Sequence, residues 1–386
     1  MRAQWTHIDL PYTFLTAGVF MDSVLVVDVQ EHLFLSRDFG KNWNPAGYIP
    51  LSYEPERLTI FNSDLILTTQ RGGIFRSKDT GKTWLTCDDS GLDATGAAAI
   101  IAVGDTLITN TGYNGIFFSS NEGHSWMPIE RFYFDSAIQQ FSLNGKYLFA
   151  AAAKGGVFRS SDGGIGWERL TPWMGDTEVN TIATRGSVVV AGTRESGIYR
   201  STDYGEYWES VNNGFTQMDV RALIFAGDTI FAGFNHGAGI YLSIDSGLTW
   251  HDASQGLTDK SVYVFCVGGG YLFAGGGGNS SLWRRPLSNF DAVKRVGAPS
   301  ELTLAQNTPN PFKTNTTFNF TLEKSSKISL IVTDVLGKEV YILDHKIMSA
   351  GDHNIDWNAY DFANGIYSYR LEANGISMTK KLVVVK

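Results

Sequence analysis

The sequence predicts an all-β protein, a seven-bladed β-propeller followed by a small Ig-like β-sandwich, and three observations predict it. An eight-residue motif recurs six times at a period of 41 or 42 residues. Each copy follows short β-prone runs broken by turn residues, and the pattern stops after Leu287, where a stretch of different character begins. Repeats of about 40 residues that each hold four strands are the signature of propeller blades.

The motif is Ser-x-Asp-x-Gly-x-x-Trp. It appears as Ser36, Asp38, Gly40, Trp43; as Ser77, Asp79, Gly81, Trp84; and as Ser160, Asp162, Gly164, Trp167. Two further copies are Ser201, Asp203, Gly205, Trp208 and Ser243, Asp245, Gly247, Trp250. In the remaining copy, Ser119, Asn121, Gly123, Trp126, asparagine replaces the aspartate. Each motif is expected to form the turn between the third and fourth strands of a blade. The hydroxyl and carboxylate accept the turn's own N–H groups, and the glycine supplies a left-handed position. The tryptophan then opens the fourth strand and packs between neighbouring blades. Regularly spaced carboxylates invite a metal or catalytic interpretation, but turn stabilisation accounts for all of them, and no metal or cofactor is expected.

A seventh repeat begins near Ser261 and ends at Leu287 without a motif or a fourth strand. The N-terminus supplies the motif tryptophan and the strand after it, because Trp5 lies 38 residues before Trp43, in the phase of the motif tryptophans. The N-terminal strand is therefore expected to complete the last blade and close the ring, which removes two exposed sheet edges. The propeller is assigned to residues 1–287, a polar linker to 288–300, and a β-sandwich to 301–386, where alternation such as Thr317-Phe318-Asn319-Phe320 marks half-buried strands.

The net charge of −8 falls wholly on residues 1–297, since the remainder carries nine basic and nine acidic side chains. An acidic body repels phosphate backbones, so nucleic acid is not an expected partner. No apolar run reaches the roughly 18 residues of a transmembrane helix. Cys87 and Cys266 match no zinc spacing and are expected to be two separately buried thiols.

The motif and its spacing resemble the Asp-box, or bacterial neuraminidase repeat, family, which includes sialidases, sortilin-type receptors, xyloglucan-hydrolysing propellers and photosystem II assembly-factor-like propellers. The resemblance spans residues 1–287 and implies architecture. The C-terminal segment resembles the type A sorting domain of the Bacteroidetes type IX (Por) secretion system. The likeness rests on Pro309, Asn310, Pro311 and Phe312, on Asp334 and Gly337, on Gly365 and Tyr367, and on the terminal Lys380 and Lys381. It implies secretion or display at the outer-membrane surface, with the secretion machinery and its sortase as partners. Such cargo first crosses the inner membrane behind a leader. The start, MRAQWTHIDLPYTF, lacks one, so residues upstream of Met1 are expected to be missing.

In a propeller the loops joining strand two to three, and strand four to the next strand one, share the face where ligands bind. Short loops place Gln70, Arg71, Tyr113, Asn114, Lys154, Arg194, Glu195, Asn235 and His236 there. Longer loops add Tyr53, Glu54, Tyr133, Asp135, Trp173, Asp176, Glu178, Gln217 and Asp219. The ligand-binding candidates are Tyr53, Tyr113, Tyr133 and Trp173, as stacking platforms, with Arg194, Glu195 and His236. The sialidase pattern of three convergent arginines is absent, as are phosphate-loop, His-Glu-x-x-His and Gly-x-Ser-x-Gly motifs. The expected function is a monomeric, non-catalytic binding propeller that recognises a glycan or a protein. The alternative is a glycoside hydrolase with a carboxylate pair on the same face.

Overall fold

A strand in the middle of a blade is covered on both faces by neighbouring blades, so it reads as a continuous apolar run. The second strands do: Leu65–Leu67, Leu148–Ala152, Val189–Ala191 and Ile230–Phe234 are buried throughout. Gly192 and Gly233 stand where a side chain would lie 2.6 Å from Val220 and 2.8 Å from Val262, so their lack of one lets the next blade approach.

The computed structural model describes residues 4–9, 15–21, 24–29, 32–46, 55–69, 73–87, 92, 99–111, 115–129, 137–174, 177–276, 282–290, 302–322, 325–334, 338–373 and 376–386. The chain divides into two units, Met1–Phe290 and Asp291–Lys386.

Among the described residues, the first unit holds seven four-stranded antiparallel sheets. Blade 1 comprises Leu15–Met21, Val24–Val29, His32–Ser36 and Asn44–Pro45; blade 2 comprises Pro55–Phe61, Asp64–Thr69, Gly73–Ser77 and Leu85–Thr86. Blade 3 runs through Ala99–Val103, Thr106–Asn110, Ile116–Ser119 and Met127–Pro128, and blade 4 through Ile138–Asn144, Tyr147–Ala152, Gly156–Ser160 and Glu168–Arg169. Blade 5 is built of Val179–Arg185, Val188–Thr193, Ile198–Ser201 and Glu209–Ser210, and blade 6 of Val220–Ala226, Thr229–Phe234, Ile240–Ser243 and His251–Asp252. Blade 7 takes Val264–Gly268, Tyr271–Gly275 and Leu282–Pro286, and its fourth strand is Thr6–Ile8, paired from Thr6↔Arg284 to Ile8↔Leu282. The first strand of each blade touches that of the next, and Val264–Gly268 touches Leu15–Met21, so the ring is closed. Trp5 fastens the closure: its indole N–H donates to the Ala253 carbonyl at 2.7 Å.

Each motif tryptophan packs against the preceding blade. Trp126 joins Phe61 and Ile66 of blade 2, Trp167 joins Ile108 of blade 3, Trp208 joins Phe149 of blade 4, and Trp250 joins Val190 of blade 5. A second fastening went unrecognised in the sequence. Where the residue before the motif serine is arginine, its guanidinium reaches the next blade's turn and donates to the carbonyl of the residue before the turn glycine. Arg76 reaches Glu122 O at 3.3 Å, Arg159 reaches Tyr204 O at 2.8 Å and Arg200 reaches Ser246 O at 2.7 Å. Arg284 of blade 7 makes the same bond to Phe39 O of blade 1. Carboxylates complete several of these latches, such as Glu122 on Arg76 at 2.7 Å and Glu206 on Arg159 at 2.6 Å.

The expected linker starts too early. Leu287–Phe290 forms a 3-10 turn that stays with the propeller, and Phe290 is buried against Phe231 at 4.8 Å and Trp5 at 6.0 Å, beneath the Arg285 guanidinium at 4.2 Å. One aromatic among polar neighbours gives no periodicity, which is why the sequence concealed it. Residues 291–300 lie outside the described residues. Cys87 and Cys266 are free and buried, and burial pushes their thiols up to about 11 and about 12.

The second unit is a sandwich of two antiparallel sheets. One orders Leu302–Leu304, Asn315–Leu322 and Gly351–Asn358; the other orders Glu339–Met348, Ser326–Thr333, Gly365–Ala373 and Ile376–Val384. Asn315–Leu322 buries every second residue, placing Phe318 and Phe320 in a core with Leu330, Trp357 and Tyr369.

Candidate binding face

The repeated turns are built alike. In all six the serine Oγ accepts the turn glycine's N–H at 2.7–2.9 Å. It donates to the Asp or Asn side-chain oxygen at 2.7–2.9 Å. That oxygen accepts the N–H four residues on at 2.8–3.0 Å. The glycines have φ between +80° and +96°. Each preceding residue is also left-handed, from Ser246 at +59° to Gly163 at +76°, a feature the sequence reading missed. The acidic oxygens are thus occupied by their own turns. Trp84, Trp167 and Trp208 donate their indole N–H to the glycine carbonyl at 2.8–3.1 Å.

The loop face is different in kind. At the head of the first strand, register shifts fall between Val179 and Thr181 and between Val220 and Ala222, so Asn180 and Arg221 are bulge residues. Both turn towards Asp219, whose side chain is almost wholly buried. Arg221 Nε lies 2.8 Å from Asp219 Oδ1 and Nη2 donates to Oδ2 at 3.0 Å. Asn235 Nδ2 donates to Oδ2 at 2.8 Å, and Asn180 Nδ2 lies 3.5 Å from Oδ1 while donating to the Val220 carbonyl at 2.9 Å. Gln217 Oε1 accepts the main-chain N–H groups of Met218 and Asp219 at 2.8 and 3.4 Å. The Tyr263 hydroxyl donates to Asn235 Oδ1 at 2.5 Å, and its ring lies 5.9 Å beneath the Arg221 guanidinium. Blades 5, 6 and 7 thereby share one polar cluster.

His236, left-handed at φ +53°, stands at the cluster's solvent edge with Nε2 3.7 Å from Asp219 Oδ2. Beside it in ring order, Arg194 Nη1 meets Glu178 Oε2 at 2.9 Å, and that carboxylate holds the guanidinium's pKa above its ordinary value. Glu195 is exposed. Trp173, in the 3-10 turn Pro172–Met174, is 56% exposed and sets its ring edge-on to Tyr199 at 5.3 Å. The structure therefore brings His236 to Asp219 and Arg194 to Glu178, and leaves Trp173 open. Tyr53, Glu54, Gln70, Arg71, Tyr113, Asn114, Tyr133, Asp135 and Asp176 lie outside the described residues. Tyr263 and Arg221 were missed: a strand arginine looks structural until a bulge re-aims it, and Tyr263, just before the strand Val264–Gly268, carries no motif.

In the second unit, Pro309, Asn310, Pro311 and Phe312 run beside the last strand. Asn310 Oδ1 accepts the Val383 N–H at 2.9 Å, Gln306 Nε2 donates to the Lys381 carbonyl at 2.8 Å, and Phe312 is bridged to Val384. Asp334 Oδ1 accepts the Lys338 N–H at 3.0 Å, and Gly337 lies outside the described residues. The strand from Gly365 carries Tyr367, which donates to Ala363 O at 3.0 Å; Lys381 is exposed and Lys380 half-buried.

Residues 308–385 match the secretion system C-terminal sorting domain family. Among solved structures, the chain is similar to YCF48 bound to D1 peptide, at 17% identity and TM-score 0.59 over 73% of this chain and 96% of that one. It is also similar to the extracellular domain of the putative hybrid two component system BT4673 from B. thetaiotaomicron (11% identity, TM-score 0.62, 100% of this chain and 59% of that one). A third likeness is PorZ, a surface component of the type-IX secretion system of Porphyromonas gingivalis (14%, TM-score 0.52, 98% and 61%). At these identities the likenesses show the fold. No curated protein matches the chain by sequence. The chain is a β-propeller that carries a type IX secretion sorting domain, which addresses it to the cell surface or the outside. Among the described residues no helix is long and apolar enough to cross a membrane.

Proposed function

We propose that this exported propeller is a non-catalytic binding module that holds a glycan or a protein on its loop face. One observation carries the proposal: an exposed aromatic, Trp173, shares that face with a polar cluster in which Asp219 is buried against Arg221, and with Glu178 paired to Arg194. A hydrolase needs two carboxylates facing each other across a substrate. Asp219 and Glu178 instead face Arg221 and Arg194, which suits rigid presentation of amide, guanidinium and imidazole groups. An aromatic platform beside preset polar groups is the usual composition of a site that grips a sugar ring or a side chain.

The test is titration of the full chain against a panel of purified polysaccharides, with products examined by chromatography. Binding without cleavage is expected, weakened about tenfold or more by Trp173→Ala, with stability changed by less than about 1 kcal/mol. Cleavage of any member would overturn the non-catalytic assignment. Failure of the whole panel to bind would select a protein as the ligand.

A further inference from the structure

We infer that the face carrying the repeated turns pairs with the same face of a second copy of this chain, about a two-fold axis. The bonds of each turn use the serine, the Asp or Asn, the glycine and the main chain, which leaves most of the intervening side chains free to vary. They vary in a pattern. In blades 1 and 2 the intervening positions hold Arg37, Lys41, Lys78 and Lys82, all exposed, and no acid. In blades 4, 5 and 6 they hold Ile165, Tyr204, Tyr207 and Leu248, also exposed, with Glu206 as the only charge. Counted over the eight-residue turns, the first group has four cations and two aspartates, net +2; the second has three aspartates and one glutamate, net −4. The neighbouring strand one to strand two connections add Asp22, which lies outside the described residues, to the first group, and Lys146 and Asp228 to the second. The contrast in sign survives them.

The two groups stand across the ring from each other. Blade 5 is three blades from blade 2 in one direction and three from blade 1 in the other. A two-fold axis lying in the face, at right angles to the line joining the groups, lays each cationic group on the apolar, acidic group of the other copy. One operation thus makes the same contact twice. Tyr207 is 71% exposed and Ile165 59%, and large apolar side chains held out in three successive turns mark an interaction surface. Tyrosines among carboxylates suit lysine and arginine, through the ring face as well as through charge. The opposite signs select the occupant, since a partner of one sign would match only half of the face. This pairing leaves both loop faces outward and does not depend on the function proposed for them. It replaces the monomer expected from the sequence with a dimer.

The experiment is sedimentation of the full chain at about 100 μM in about 50 mM salt, which separates the 42.4 kDa chain from its dimer. A dimer is expected, weakened at least about fivefold when salt is raised to about 500 mM. Two double variants change side chains that make none of the turn bonds: Lys41→Glu with Lys82→Glu, and Tyr207→Ser with Leu248→Ser. Each should sediment as a monomer, with its unfolding midpoint within about 2 °C of the parent's. Mixed together they should associate, more weakly than the parent, because one copy keeps an intact apolar group and the other an intact cationic group. Trp173→Ala should leave the dimer unchanged. A monomeric parent, an undiminished dimer in either double variant, or a mixture no more associated than its components would overturn the inference.

Discussion

The two faces of the propeller are made from the same repeats and obey opposite rules. On the turn face one device is built six times, with serine, aspartate or asparagine, and left-handed glycine in the same bonds to within a few tenths of an ångström. On the loop face, equivalent positions diverge. The loop after Val188–Thr193 offers Arg194 and Glu195, and the loop after Thr229–Phe234 offers Asn235 and His236. Repetition belongs where each blade must seat the next, and divergence where a ligand is read. Substitutions on the turn face should therefore cost stability, and those on the loop face should cost binding.

The sharpest break of that contrast is Trp208→Ala. The indole fills the seam between blades 4 and 5, with Phe149, Val157 and Val189, and donates to Gly205 O. Its removal should cost about 3–5 kcal/mol, read as a lowered midpoint in denaturant, with ligand affinity unchanged in whatever fraction remains folded. A loss of affinity in the folded fraction would mean that the two faces are coupled through the seam.

Arg159→Met tests the latch at a smaller scale. Its guanidinium, nearly buried, joins Tyr204 O, Glu168 and Glu206, but both carboxylates are more than half exposed and water will take them back. The expected cost is about 1–2 kcal/mol. Phe118 occupies the equivalent place in blade 3, and the seam it faces has no arginine latch there. Phe118→Arg should therefore add little, since its target would be a turn already seated by Trp167. A cost near zero for Arg159→Met would reduce the latches to decoration.

Much of this division was legible before any coordinates. The ring, the strand at Thr6–Ile8 that closes it and the sandwich strands follow from spacing and alternation, which are local signals. The turn bonds follow from the chemistry of serine, aspartate and glycine at fixed offsets. The cluster at Asp219 did not, because Asn180, Arg221, Asn235 and Tyr263 come from four strands or loops across three blades. Only the packing of successive blades brings them together, and bulges decide where two of them point. Arg76, Arg159, Arg200 and Arg284 stood at one repeat position throughout, yet an arginine in a strand carries no mark of the carbonyl it will reach.

The smallest expected effect bears on why one turn uses asparagine. The Asn42 N–H, the Asn42 side chain and Ser36 hold the Asp38 carboxyl down to about 2, and Thr83 does the same for Asp79, also to about 2. In Asp162, burial is the largest single influence and pushes upward, but the hydrogen bonds from the Gly166 N–H, the Ser160 hydroxyl and the Ile165 N–H together outweigh it and the value is lowered. A folded-state pKa below the unfolded value of 3.8 gives stability that is complete above about pH 4 and is lost as pH falls towards 2. Asn121 makes the same bonds through a neutral oxygen and takes no part in that loss. The double variant Asp38→Asn, Asp79→Asn should therefore lie slightly below the parent in unfolding midpoint at pH 7, and the gap should close between pH 4 and 2. A gap that stays constant down to pH 2 would show that these turns use the shape of the side chain and not its charge.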